Sequence, residues 1–243
     1  MGVSLTESAP RRSWTWALRG MLCLLPIATV WIAGCNPASL AMLLVPFMDD
    51  KEPAKCKIST PNKETTVAIV TWFGNAELKM WPELVPADSE LSERLAAILR
   101  ERYALNKEKV KIVPNAQVRN YQNKVVGDTW SPAEIGKHVK ADKVIALEIT
   151  SLSLYEKSTQ HAQQLFRGNT EIAVKVYDLD KPAGDQVVFE EYYKRIYPRE
   201  APIDGGVSSI QFRATFIARA ARELSKWFAA YASDERMHDM ETD

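Results

Sequence analysis

The chain has 243 residues, 46% of them hydrophobic and 26% charged. Ten glycines and 13 prolines are too few for a low-complexity or collagen-like chain. The 31 basic residues balance the 31 acidic ones. That balance argues against nucleic-acid binding, which needs a basic face, and against polybasic attachment to anionic lipid.

Residues 1–34 read as an export signal. Arg11, Arg12 and Arg19 form a positive leading region, and Met21 to Ile32 is an apolar run. It ends in Ile32-Ala33-Gly34-Cys35, small residues followed at once by cysteine. This box resembles that of bacterial lipoproteins. The resemblance implies cleavage before Cys35 and acylation there with diacylglycerol, palmitate being a typical chain. A retained signal anchor is the alternative, because no charged residue lies between Gly20 and Met48. Both readings put the arginines inside and the remaining chain outside the cytoplasm.

Residues 35–65 read as a lipidated start and a tether. Asn36 to Met48 is apolar but short for a membrane span, and Asp49 to Thr65 is polar, with four lysines and two prolines. Of the three cysteines, Cys23 leaves with the signal and Cys35 carries lipid, so Cys56 is a lone thiol in the tether.

Residues 66–233 read as one folded domain, with a polar tail at 234–243. Val67 to Thr71 is a short β-branched run and predicts a buried strand. After Trp72 to Pro86, Asp88 or Ser89 caps a helix to about Tyr103 with Leu91, Leu95, Ile98 and Leu99 inward. Lys109 to Val113 is a strand, and Pro114-Asn115 opens a short helix carrying Val118, Tyr121 and Val125. Ser131-Pro132-Ala133-Glu134 has the form of a capping box with proline at the first helical position.

Lys143 to Thr150, continuing to Leu154, is the next strand. Thr170 to Tyr177 alternates strictly, and a turn at Asp180 to Asp185 returns it through Gln186 to Tyr197. Ser209 to Tyr231 is an amphipathic helix whose seam is Ile210, Ile217, Ala221, Leu224, Phe228 and Tyr231, widened by the adjacent Phe216, Ala220 and Trp227. It is expected to lie on a sheet formed near Val67, Val144, Ile172 and Val188. The fold class is α/β with α+β character: a single mixed sheet packed with helices, in the order β-α-β-α-α-β-β-β-α.

That order resembles the small α/β domain of the TolB amino-terminal type, also found in LpoB-like and CsgG-like envelope lipoproteins. The residues that carry the resemblance are Val67 to Val70, Lys111 to Pro114, Ser131 to Gly136, Ala141 to Ile149 and Val176 to Leu179. The tether and the long Trp72–Pro86 connection depart from it. The resemblance speaks to fold more than to function.

The chemistry-bearing residues form no recognisable constellation. His138, His161 and His238 are spaced too irregularly for a metal motif. No nucleophile elbow, phosphate loop or dinucleotide fingerprint occurs. Gly205-Gly206 reads as a hinge, and Asp178 and Asp180 as turn residues. Glu190 and Glu191 are adjacent on a strand and so face opposite sides. Trp72, Phe73, Met80 and Trp81 are dense aromatic and thioether residues in one connection, which marks either a partner surface or a cap on the core.

The expectation is a lipid-anchored envelope module that binds another envelope protein. It is expected to have no catalytic residues, cofactor, metal or nucleic-acid partner. An enzyme with a dispersed site and a subunit of a multimeric secretion assembly are the alternatives. The latter would need Leu165 to Tyr197 as a membrane hairpin, and Glu171, Lys175, Glu190 and Lys194 suit a water-facing sheet better.

Overall fold

The computed structural model describes residues 51–124, 130–156, 165–203 and 206–235. The signal segment, Cys35, Val125, His161, Gly205 and His238 lie outside them.

Strand β1 is Lys51–Glu52 and β2 is Thr65–Phe73, followed by a 3-10 turn at Ala76–Met80. Helix α1 (Ala87–Leu105), β3 (Val110–Ile112), α2 (Asn115–Lys124) and α3 (Pro132–His138) come next. Strands β4 (Lys143–Tyr155), β5 (Phe166–Asp178) and β6 (Val187–Tyr197) precede α4 (Ser209–Phe228) and β7 (Tyr231–Ala232). The main sheet is ordered β3-β2-β4-β5-β6. β2 runs parallel to both neighbours, and β4, β5 and β6 form an antiparallel meander. The main sheet and its helices follow the expected mixed α/β architecture and order; β1 and β7, which form a separate two-stranded sheet, are additions to the single sheet expected.

β2 is buried on both faces, which explains its unbroken apolar run. Val67, Ile69 and Phe73 face the main core with α1 and α4, joined by Ile145, Leu147, Ile172 and Val174. Ala68 and Val70 face a smaller core with Val118 of α2 and Ile135 of α3. As expected, α4 lies on the main sheet, against β4, β5 and β6; Val144 of β4 faces the second core, because alternate strand residues face opposite ways.

Helix starts follow local chemistry. Ser131 Oγ accepts from the Glu134 N–H, and the Ser131 N–H donates to Glu134 Oε2 at 2.8 Å. The capping box is therefore formed, with Pro132 opening the helix. Ser208 and Gln211 form a second box at α4, one residue before the expected start. The α1 cap differs from expectation. Pro86 precedes the helix, and Asp88 turns its carboxylate onto the next amide, Ser89 N–H, at 2.6 Å.

Two packing expectations are corrected. Ile217, Ala221, Leu224 and Phe228 of the expected seam are buried, as are Phe216 and Ala220 beside it, but Ile210 is 62% exposed, Phe212 is buried in the first turn, and Tyr231 falls in β7 beyond the helix. The tether reading fails from Lys51 onward. β1 pairs antiparallel with β7, and the Cys56 N–H donates to the Trp227 carbonyl at 2.7 Å. Ile58 is 1% exposed. The prolines and lysines around Ile58 and Cys56 masked two apolar anchors that seal the end of the main core. The polar tail is likewise held at its start, where Glu235 pairs with Arg102.

Candidate functional site

The connection after β2 is a built surface. Asn75 Oδ1 caps the 3-10 turn by accepting from the Glu77 N–H at 2.9 Å. The Leu84 N–H donates to the Trp81 carbonyl at 2.9 Å, so the chain folds back on itself. Leu84 is buried and Leu78 half-buried against the main core. With these two leucines turned inward, Met80, Trp81 and Val85 are turned outward, at 78%, 58% and 50% exposure.

The four candidate residues separate accordingly. Trp72 and Phe73 are not in the loop; they end β2. Phe73 is buried in the main core, and Trp72 packs edge-on against Trp130, with ring centroids 5.5 Å apart. These two are core and capping residues. Met80 and Trp81 remain as surface, and Val85, which the sequence reading did not single out, completes it.

Two further residues fix this loop in place. Arg213 of α4 donates to the Glu83 carbonyl and forks onto the Glu90 carboxylate at 2.8 and 3.1 Å. Tyr155, at the end of β4, hydrogen-bonds to the Glu83 side chain and to Ser209. Burial, followed by the nearby Glu83 charge, raises the Tyr155 hydroxyl above its ordinary pKa. Arg213 had a visible sign in the sequence, since it stands four residues before Ile217 on an otherwise apolar face. A charge at such a position needs a buried partner.

A second polar cluster fills the crevice at the carboxyl ends of β2 and β3, where α1 and α2 leave to opposite faces of the sheet. Open α/β sheets often bind ligands at such a point. Here Arg119 donates to Asp88 Oδ2 at 2.7 Å and to Thr71 Oγ1 at 3.0 Å. Thr71 Oγ1 donates to the Asp88 carbonyl at 2.7 Å, and Gln122 donates to the Thr71 carbonyl. Arg119 Nε and Gln122 Oε1 are buried without a hydrogen-bond partner. The cluster ties α1 and α2 to the sheet.

The remaining chemistry-bearing residues are structural where described. His138 is exposed and stacks on Tyr121 at 4.0 Å. Glu190 pairs with Lys175 and Glu191 with Lys55, on opposite faces as expected. Asp178 Oδ1 accepts from the Asp180 N–H within the turn. Cys56 is a free thiol, half-buried against the main core, and burial raises its pKa. Among the described residues, no group of three His, Cys, Asp or Glu side chains is placed to hold a metal ion. Among the same residues, no helix is long and apolar enough to cross a membrane.

No protein-family model and no curated protein matches the chain. Solved structures similar to it include lipoprotein GNA1162 from Neisseria meningitidis, at 9% identity over 66% of this chain and 98% of that one, with a TM-score of 0.35. Protein XCC0632 from Xanthomonas campestris is 9% identical over 72% of this chain and 91% of that one, with a TM-score of 0.40. TolB from Acinetobacter baumannii is 14% identical over 72% of this chain and 29% of that one, with a TM-score of 0.27. Likenesses this loose establish neither a family nor a function for this chain.

Proposed function

We propose that the chain is a membrane-anchored lipoprotein of the bacterial envelope whose α/β domain is a non-catalytic protein-interaction module. The observation that carries this reading is the surface of Met80, Trp81 and Val85, held outward on a loop that Arg213 and Tyr155 secure. Three large apolar side chains on a fixed support offer contact area with little loss of freedom on binding. The box ending in Cys35 supplies the anchor in this reading, with the domain facing the periplasm.

Two experiments test the two halves. Cys35→Ala should give an uncleaved precursor that takes no label from a palmitate analogue; normal labelling would refute the anchor. A photo-crosslinking side chain at position 81 should give a discrete adduct in intact membranes. Val85→Asp should abolish that adduct, whereas Leu105→Asp, at another exposed apolar position, should leave it. An adduct insensitive to Val85→Asp, or none at all, would reject the loop as the binding surface.

A further inference from the structure

β6 is an edge strand of 11 residues, and among the described strands none pairs with its outer side. It contains no proline, and its ladder irregularity is confined to its first residues, beside Val176 and Tyr177. Long regular edges of this kind are templates for strand addition. The side chains of one face are Val188, Glu190, Tyr192, Lys194 and Ile196. Val188, Tyr192 and Ile196 are 39%, 58% and 45% exposed. Helices α2 and α3 pack on β2 and β4, leaving this part of the sheet uncovered by them.

The sequence of that face is complementary to itself when reversed. We propose that β6 pairs antiparallel with β6 of a second copy of this chain, about a two-fold axis at Tyr192, so that the two main sheets become one.

In that register Glu190 stands opposite the second copy's Lys194, Val188 opposite its Ile196, and Tyr192 opposite its own counterpart. The charges already in place extend the match. Lys194 is bridged to Glu171 at 3.1 Å and Glu190 to Lys175 at 2.9 Å, each directly across the β5–β6 ladder. Dimerisation therefore builds two rows of alternating sign across four strands: Glu171, Lys194, the second copy's Glu190, then its Lys175. Moving the axis by two residues sets either Glu190 or Lys194 against its own counterpart. Like charges directly opposite are unfavourable. The charges thus select both the occupant and the register, as an isologous contact requires.

The test uses the full-length chain in membranes, in a Cys56→Ser background. Directly opposite residues of an antiparallel pair have Cα atoms about 4.5–5.5 Å apart, within reach of a disulfide. Tyr192→Cys should therefore cross-link to itself under mild oxidation, while Leu105→Cys should not. Val188→Cys and Ile196→Cys should each fail alone and link to each other when differently tagged copies are co-expressed. With Tyr192→Cys as reporter, Glu190→Lys and Lys194→Glu should each weaken dimerisation roughly tenfold. Mixing those two chains should restore it, because every cross-pair is then of opposite sign. Circular dichroism of each variant checks that the fold is kept. Cross-linking no better than Leu105→Cys, a link to a different protein, or no restoration in the mixture would overturn the proposal.

Discussion

Arg213 of α4 and Glu90 of α1 form a two-pronged ion pair, at 2.8 and 3.1 Å, that fastens the two helices of the main core together beneath the Met80–Val85 loop. The Arg213 side chain is only 7% exposed. Truncation to alanine removes the counter-charge of Glu90 and the donor to the Glu83 carbonyl. Arg213→Ala should destabilise the domain by about 3 kcal/mol. Hydrogen exchange at residues 76–86 should accelerate more than exchange in β5. A double variant with Glu90→Ala should lose less than the two single changes summed.

Gly136 lets α3 approach the sheet. A Cβ there would lie 2.3 Å from Val144 Cγ2 and 2.7 Å from Leu179 Cδ1. Gly136→Ala should lower the denaturation midpoint by the equivalent of about 1–3 kcal/mol despite alanine's better helix propensity. Ser131→Ala, which removes the cap of the same helix, should cost about 1 kcal/mol. A midpoint unchanged by Gly136→Ala would mean that the smaller core yields easily.

Asp142 is a pH-dependent clamp at the start of β4. Its carboxylate accepts from the Thr66 N–H at 2.7 Å and from Lys63 at 3.0 Å. The backbone donor, then Lys63, holds its pKa below the ordinary carboxylate value, with burial opposing. The unfolded value is about 3.9. Its contribution is therefore complete above about pH 4 and is lost as pH falls through the lower folded value. Asp142→Asn keeps an acceptor for Thr66 but cannot titrate. Its stability should fall less steeply than wild type on acidification below pH 4, as measured by urea titration at successive pH values.

Helix α4 closes the main core through Phe212, Phe216, Leu224 and Phe228, each at most 1% exposed. Tyr103 Oη donates to the Phe228 carbonyl at 3.2 Å, joining α1 to the end of α4. Phe228→Ala should cost about 3–5 kcal/mol. Ile210→Ser, on the same helix but 62% exposed, should change stability by less than about 0.5 kcal/mol. Thermal melts of the two variants side by side check that Phe228 lies inside the seam of α4 and Ile210 outside it.

Local patterns of residues determined most of the fold. The apolar run in β2, the strict alternation in β5 and the Ser131–Glu134 box each act over a few residues, so their consequences follow from neighbours in the chain. The succession of strands and helices along the chain follows from such signals, whereas the strand order β3-β2-β4-β5-β6 comes from the tertiary structure. Contacts between distant segments were decided by tertiary structure. Ile58 and Cys56 sit among prolines and lysines, and nothing nearby shows that Ile58 enters the main core or that Cys56 bonds to the end of α4. Trp72 and Met80 are equally apolar, yet one packs against Trp130 and the other faces solvent, because β2 ends between them. The self-complementary order of Val188, Glu190, Tyr192, Lys194 and Ile196 is present in the primary sequence. It acquires meaning only when β6 becomes the edge of the sheet, since the same residues on a central strand would have neighbours on both sides.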